Sequence, residues 1–281
     1  MNSGKNTINW FPGHMTKALR LIEGHVGLCD VVIYVLDARA PISCFNPALD
    51  GLIGERAVIY ALNKADLAPA GRVREIAAKL SGHRRAAAAI NSTRSNDAKI
   101  IANLAKKLCA AKLERFATKG VKVPLKAMVL GIPNSGKSTL INNLAGGAKT
   151  VTGNRPGVTR GKQWVRVDDY LEVLDTPGTL YPKIDNQNTA LKLAAIGSIK
   201  DEVVDTRELA VALAAMLDKI DKRLIAGRYG TSDNITPEAV IEQIALKRGY
   251  LLQGGRPDTD RACAALIDDF RKGRLGRIIL D

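Results

Sequence analysis

The stretch Gly131-Ile132-Pro133-Asn134-Ser135-Gly136-Lys137-Ser138 constrains this chain more than any other. Its spacing is G-x-x-x-x-G-K-[ST], a loop whose backbone N–H groups wrap nucleotide phosphates. The pattern carries weight only between a strand and a helix, and both signals are present. Residues 128–130 before it are an apolar run that reads as a buried strand, and residues 139–144 after it read as the start of a helix. Gly131 and Gly136 allow the turns that bring N–H groups onto phosphates, and the helix N-terminus adds its dipole. Lys137 is placed to reach the β- and γ-phosphates, and the Ser138 hydroxyl to ligate Mg²⁺. Asn134, Ser135, Gly136 and Thr139 complete the cradle. Such a chain is expected to bind a nucleoside triphosphate.

The base is read upstream. Residues 31–36 and 57–62 are continuous apolar, β-branched runs, the pattern of parallel strands buried on both faces. The second run leads directly into Asn63-Lys64-Ala65-Asp66. A carboxylate at Asp66 can accept from both guanine N1–H and the N2 amine. Adenine lacks that donor pair and would leave the carboxylate unpaired, which disfavours a plain ATPase or kinase. Asn63 can bond purine N7 and tie loops together, while the Lys64 stem covers one face of the base. A further strand over 86–90 ends in Asn91-Ser92-Thr93, a small-residue loop able to offer an N–H to guanine O6. N-K-x-D is weak by itself, since four residues recur by chance; beside a phosphate loop it is strong.

Three more segments bear on the phosphate end. Residues 152–161 hold three Gly and one Pro, an exposed loop in which Thr159 can present a hydroxyl to Mg²⁺. Residues 164–167 and 171–174 read as a hairpin ending in Asp175-Thr176-Pro177-Gly178. Asp175 can hold Mg²⁺ through water, and the Gly178 N–H can sense the γ-phosphate, so that its loss releases the loop. At the start of the chain, Trp10-Phe11 predicts an arm that packs on something, Pro12-Gly13 a turn, and residues 16–24 a helix. His14 is either an ordinary turn histidine or a group that a folded-back arm brings to the phosphates.

Other helices are expected over 48–53, 72–80 and, as one basic helix with an apolar stripe at Ile100, Ile101, Leu104, Leu108 and Leu113, over 96–116. Residues 117–124 read as a linker. Beyond Asn186 strand signals stop, and 189–196, 207–217, 237–247 and 258–272 read as helices, with Thr236 capping and Pro237 opening the third. The expected organisation is a nucleotide domain over 1–185 and an all-α domain over 186–281.

Charge points to a polyanion. The net charge is +14, from 42 basic and 28 acidic residues. Residues 1–185 carry 27 basic against 14 acidic, and residues 186–281 carry 15 against 14, so the excess lies in the nucleotide domain. It is densest from Lys99 to Lys126; the helical part has one basic cluster, Arg271, Lys272, Arg274 and Arg277. Both are candidate RNA contacts, the alternative being a solvated face that keeps the protein soluble. No apolar run approaches the roughly 18 residues of a membrane span. No apolar segment follows the N-terminus, and the four cysteines are scattered, which together predict a cytoplasmic setting, with an organelle matrix as the alternative.

The motif set is that of translation-factor-type GTPases with the order rotated, because Asn63–Asp66 and Asn91-Ser92 precede the phosphate loop. The chain therefore resembles the circularly permuted GTPases, most of all the YlqF/RbgA group of ribosome biogenesis GTPases. N-W-F-P-G-H-M, D-A-R-A-P, N-K-A-D, I-N-S, G-I-P-N-S-G-K-S, R-P-G-V-T-R-G, D-T-P-G and F-R-K-G-R-L-G-R-I are all in that group's style. The resemblance implies an α/β fold: a permuted GTPase domain with a six-stranded, mostly parallel sheet, then a small all-α domain. It implies slow hydrolysis of GTP to GDP, stimulated by the ribosomal particle, in late assembly of the large subunit. The partners it implies are the subunit precursor and rRNA, with no DNA or membrane and a monomeric state.

The group lacks the water-orienting Gln after D-x-x-G, and its N-terminal His is proposed to substitute, which makes His14 the catalytic candidate; here Thr179 holds the Gln position. Asn134 matches the phosphate-loop Asn linked to K⁺ binding in similar GTPases. An RNA-binding protein with GTP as a structural ligand, or a permuted GTPase serving another RNA particle, are the alternatives. Because Asp175–Gly178 runs straight into the helical domain with no strand between, GTP is expected to reorient that domain.

Overall fold

The apolar runs become neighbouring strands. The computed structural model describes residues 13–146, 164–180, 184, 186–232 and 235–281, with side chains from 16 onward. Residues 12–181 and 182–281 form two separate units.

In the first unit the strands are β1 Val31–Asp37, β2 Ala57–Asn63, β3 Arg85–Ala89, β4 Leu125–Gly131, β5 Trp164–Asp168 and β6 Leu171–Asp175. They form one sheet in the order β3-β2-β1-β4-β6-β5, parallel throughout except for β5 against β6. Every residue of β1 and β2 is buried, as their unbroken apolar runs require of central parallel strands. On one face Ile33, Val35, Ile59, Ala127 and Val129 pack with Ile101, Ala102 and Ala105 of α4 (Ser95–Leu108) and Leu140, Ile141 and Leu144 of α6 (Lys137–Leu144). The alternate residue Tyr34 is fully buried, its hydroxyl accepting from the Asn46 N–H at 2.7 Å and its ring edge-on to Phe45. Thus one strand supplies two layers of core. The remaining helices are α1 Gly13–Val26, α2 Pro47–Ile53, α3 Ala70–Leu80 and α5 Ala110–Ala117.

Three expectations need correction here. Gly13 is already helical, so α1 starts earlier than the Pro12-Gly13 turn suggested. The single basic helix over 96–116 is two, α4 and α5, broken at Cys109, whose φ of −110° and ψ of 19° leave the helical region. Ile100 is exposed rather than part of the apolar stripe, because Ala98, Ile101, Ala102 and Ala105 face the sheet instead. Trp10, Phe11 and Thr159 lie outside the described residues.

The second unit is helical: α7 Gln187–Ala195, α8 Thr206–Ile220, α9 Arg223–Tyr229, α10 Pro237–Lys247 and α11 Thr259–Arg271. Asn186, Asp205, Thr236 and Asp258 each cap a helix with a side-chain oxygen that accepts from a first-turn N–H. Leu209, Leu213, Leu217, Ile244, Leu266 and Phe270 are buried in its core. The short α9 carried no sequence signal of its own. Among the described residues no helix is long and apolar enough to cross a membrane.

Candidate functional site

Parallel strands end on one edge of a sheet, and the register decides which residues meet there. β1 sets Asp37 opposite Asn63 of β2, and Val35 opposite Gly131 of β4. Strand order changes direction between β1 and β4, the point at which an open α/β sheet leaves a crevice beyond its C-terminal edge. That crevice is a cavity of about 640 Å³ lined by Asn63, Lys64, Asp66, Asn91, Ser92, Asn134, Gly136, Lys137, Ser138 and Thr139, together with Leu67 and Thr93. Segments that lie 30 to 70 positions apart in sequence thus share one hollow.

The phosphate loop needs its glycines. Gly131 has φ +149°, and a Cβ there would lie 2.5 Å from the Val35 carbonyl oxygen. Gly136 has φ +95°, and a Cβ would collide with the Asn63 amide. Asn134 takes a left-handed conformation with φ +57°. Ser135 is fully buried behind the loop, its hydroxyl donating to Ile132 O at 2.9 Å. Lys137 is buried, and its ammonium donates to Ile132 O at 2.7 Å. Burial pulls the Lys137 pKa down to about 8, with Asp175 pulling the other way. Burial likewise raises Asp175, against the opposing pull of Lys137 and Ser138. The Ser138 hydroxyl lies 3.4 Å from an Asp175 carboxylate oxygen, so the two candidate Mg²⁺ ligands converge.

Gly178 is pressed on the loop. A Cβ there would lie 2.7 Å from Pro133 Cα and 2.9 Å from Lys137 Nζ. The next residue, Thr179, is fully buried and donates its N–H to Gly131 O at 3.2 Å. Its hydroxyl has no hydrogen-bond partner among the described residues. The side chain at the Gln position is therefore buried and is not among the residues lining the cavity. His14 is placed by its backbone alone, in the first turn of α1.

At the other end of the cavity, Asn63 is the tie between loops. Its amide donates to Ser135 O at 2.7 Å, and its oxygen accepts from Ser92 N at 2.8 Å. Asn143 of α6 donates to Ser92 O. The Asn91 side chain accepts from Thr93 N at 3.0 Å and from the Thr93 hydroxyl at 2.6 Å, shaping the loop after β3. Asp66 is exposed to the cavity and has no hydrogen-bond or ion-pair partner among the described residues, a carboxylate open to a donor pair. Lys64 has φ +57°, and its ammonium donates to Asn134 O at 3.0 Å.

Two residues were not nominated from the sequence. Asp37, buried at the end of β1, pairs with Lys64 at 2.9 Å and with Arg39 at 2.7 Å. The available signal was an acid closing a buried strand with Arg two positions on.

The basic clusters fare differently from one another. Within Lys99–Lys126, Lys106 pairs with Asp168 and Lys112 with Asp30. Lys99, Lys107, Arg115, Lys119 and Lys122 are exposed and have no acidic partner among the described residues. Most of the C-terminal cluster is consumed inside its own unit, which corrects its reading as an open RNA contact. Arg271 binds the Ala194 and Ala195 carbonyls and Asp201, Lys272 pairs with Asp268, and Arg274 pairs with Asp268 and Asp269. Arg277 is exposed and has no such partner among the described residues.

Comparison with known proteins adds names to this geometry. Residues 126–238 match a family profile described as 50S ribosome-binding GTPase. That match takes in the phosphate-loop strand and leaves residues 63–66 upstream of it. The chain is 37% identical to ribosome biogenesis GTPase A of Bacillus cereus, covering 98% of this chain and 93% of that protein. It is 30% identical to the protein of that name from Thermotoga maritima, covering 96% and 93%. Mitochondrial ribosome-associated GTPase 1 of Bos taurus is 30% identical, covering 99% and 90%. Among solved structures, GDP-bound YlqF superposes with a TM-score of 0.68 at 24% identity, covering 93% of this chain and 98% of that one, a likeness of fold.

Proposed function

The chain belongs to the ribosome biogenesis GTPase A family, and on that premise we propose a guanine-nucleotide switch that acts in late assembly of the large ribosomal subunit. Membership of the family makes it a GTPase of ribosome assembly. The observation that supports this reading of its site is Asn63, whose one amide binds both the phosphate loop and the loop after β3 and so ties the proposed base and phosphate readers to one cavity.

The Asp66 carboxylate accepts from guanine N1–H and N2, the Lys64 stem covers the base, and the loop at Asn91 and Ser92 meets O6. Gly131 to Thr139 wraps the phosphates, with the Lys137 ammonium leaving Ile132 O for the β- and γ-oxygens. Ser138, Thr159 and Asp175 would hold Mg²⁺, which would supply positive charge to the phosphate oxygens. Gly178 lies against Pro133 and Lys137, where loss of the γ-phosphate is felt. His14, on the N-terminal side of α1, is the proposed group that orients the attacking water, since the buried Thr179 does not line the cavity. Asn134 is the proposed ligand of a K⁺ ion that supplies the charge of an arginine finger.

The proposed partner is the large-subunit precursor, met as a monomer through rRNA in the GTP form. Support comes from the exposed cations of α4, α5 and the stretch after them. The test is the GTPase rate with and without each purified ribosomal subunit, in K⁺ and in Na⁺. Stimulation by the large subunit alone is expected, and only in K⁺. Stimulation by the small subunit instead would move the substrate particle. Stimulation by neither would leave an RNA-binding protein with GTP as a structural ligand. Equal rates in the two salts would remove K⁺ from the site.

A further inference from the structure

We infer that Asp37 is a positioning residue for nucleotide binding, acting through Lys64, whose ammonium it holds between the end of β1 and the phosphate loop. Asp37 is 1% exposed. A carboxylate at that depth is costly unless it is compensated. Arg39 compensates it fully. The Arg39 N–H donates to Oδ1 at 3.0 Å, Nε to Oδ1 at 2.9 Å and Nη2 to Oδ2 at 2.7 Å. Arg39 is itself 2% exposed, so its three bonds to the carboxylate are made out of water.

Yet the same Oδ2 takes a second cation, Lys64 at 2.9 Å. Lys64, unlike Arg39, lines the cavity. Its ammonium then reaches onward to Asn134 O at 3.0 Å. One lysine thus links the strand bearing Asp37, the base-reading tetrapeptide and the phosphate loop.

Backbone geometry points the same way. Lys64 and Asn134 both hold left-handed conformations at φ +57°, which non-glycine residues keep only where their surroundings insist on it. The Asp37–Lys64–Asn134 chain of contacts joins those two strained positions. A free lysine carries much rotamer entropy, and a base that used it as a cover would have to freeze it on binding. Holding the ammonium at two oxygens beforehand removes that cost, leaving the stem laid out for the ring. The pull of Arg39 and Lys64 also keeps Asp37 ionised against the desolvation of its buried site.

This inference rests on the reading of Lys64 as the base cover. It makes a distinction that a generic structural role does not. Apolar cover over a purine face does not sense the N2 amine, whereas Asp66 does. Loss of Asp37 should therefore weaken guanine and hypoxanthine nucleotides by the same factor.

The experiment is a thermodynamic cycle on the full chain, with Kd values for GDP and IDP measured for wild type, Asp37→Asn, Lys64→Met and the double variant. Removing one charge-assisted bond predicts that each single variant weakens both nucleotides by about tenfold or more. The double variant is expected to be no weaker than Lys64→Met alone. If Asp37→Asn instead costs the same factor with Lys64 present or absent, Asp37 is merely structural and the inference fails. Collapse of the GDP-to-IDP preference in Asp37→Asn overturns it as well, by placing the effect on Asp66. Full affinity in Lys64→Met removes the premise about the base cover, and a normal Asp37→Asn beside a weak Lys64→Met overturns the inference alone. Should Asp37→Asn not fold, Asp37→Glu keeps the charge one methylene out of place, and its intermediate loss must likewise vanish in the Lys64→Met background.

Discussion

Asn63 is 1% exposed and spends its side chain on two buried bonds, from Ser92 N at 2.8 Å and to Ser135 O at 2.7 Å. Asn63→Ala deletes both at once. Ser92 is 4% exposed and Ser135 fully buried, so water does not replace the lost partner at either one. An orphaned buried polar group costs about 1–3 kcal/mol, so the pair should cost the nucleotide unit about 2–6 kcal/mol. That is a large share of the roughly 5–15 kcal/mol that holds a typical domain. At about 2–4 °C per kcal/mol for a unit of this size, the nucleotide-free melting transition should drop by about 5–20 °C. Asn143→Ala is the internal control. It also loses a bond to this loop, to Ser92 O, but Asn143 is only partly buried, so truncating it opens a path by which water replaces the lost donor, whereas truncating the buried Asn63 does not. Its cost should stay near 1 kcal/mol, about the net worth of one ordinary hydrogen bond. Calorimetry of the two variants without nucleotide decides the matter. If Asn63→Ala falls within about 0.5 kcal/mol of wild type, or costs no more than Asn143→Ala, burial is not what makes this tie strong.

Gly178→Ala places a Cβ 2.7 Å from Pro133 Cα and 2.8 Å from Pro133 N, so backbone has to move. GTP turnover should fall by about tenfold or more while GDP affinity changes little, since a small displacement suffices to spoil alignment; unchanged turnover would count against a phosphate sensor at this position. Asp269 is held at a pKa of about 2. Its burial opposes this, but hydrogen bonds from Arg228, Arg274 and Tyr229 outweigh it. A depressed acid stabilises the fold above its unfolded pKa and loses that contribution as pH falls through the folded one. Wild type should therefore exceed Asp269→Asn by about 2 kcal/mol at pH 7 and converge with it between pH 4 and 2; a gap that persists at pH 2 would refute the assignment. Replacing Lys99, Lys107, Lys119 and Lys122 by Gln should flatten the salt dependence of particle binding. Replacing Arg271 and Arg274 should instead lower the melting temperature of the helical unit, and a reversal of these two outcomes would exchange the roles of the clusters.

Legibility in the sequence followed the reach of each interaction. Central strands such as β1 and β2 were readable because burial on both faces demands an uninterrupted apolar run. The loop between β4 and α6 was readable because its chemistry sets residue type at fixed spacing, and the cavity gathers Asn63, Lys64 and Asp66 beside it. The break at Cys109 was not, since no Gly or Pro marks it and the periodic apolar pattern continues on either side. The poly-alanine strand β3, Arg85–Ala89, was found one residue out of place, as an edge strand of small residues offers no alternation to fix its ends. Pairings across the fold escaped the sequence altogether. Nothing local to Arg271 says that its guanidinium serves the last carbonyls of α7, nor anything local to Lys64 that Asp37 holds its tip. Charge counting treated those cations as available, and only their neighbours revealed which were spent.

The rotated motif order has a consequence for cohesion. Residues 13–117 carry the proposed base-reading residues, residues 125–180 the described residues proposed to meet phosphate, and the exposed stretch 118–122 joins them. Apart from that thread, the contacts that join the two segments include the β1–β4 ladder, the packing of α4 on α6, the Lys106–Asp168 ion pair, and the bonds Asn63–Ser135, Lys64–Asn134, Ser92–Asn143 and Asp30–Lys126. A nucleotide laid across this joint is a cross-brace. Each tenfold excess over its Kd adds about 1.4 kcal/mol to the union of the two segments. By the same linkage, a chain nicked at 118–122 should fall into halves when guanine nucleotide is withdrawn and reassemble when it is returned. On the proposed site, nucleotide occupancy would then contribute to the cohesion of the domain as well as to its switching.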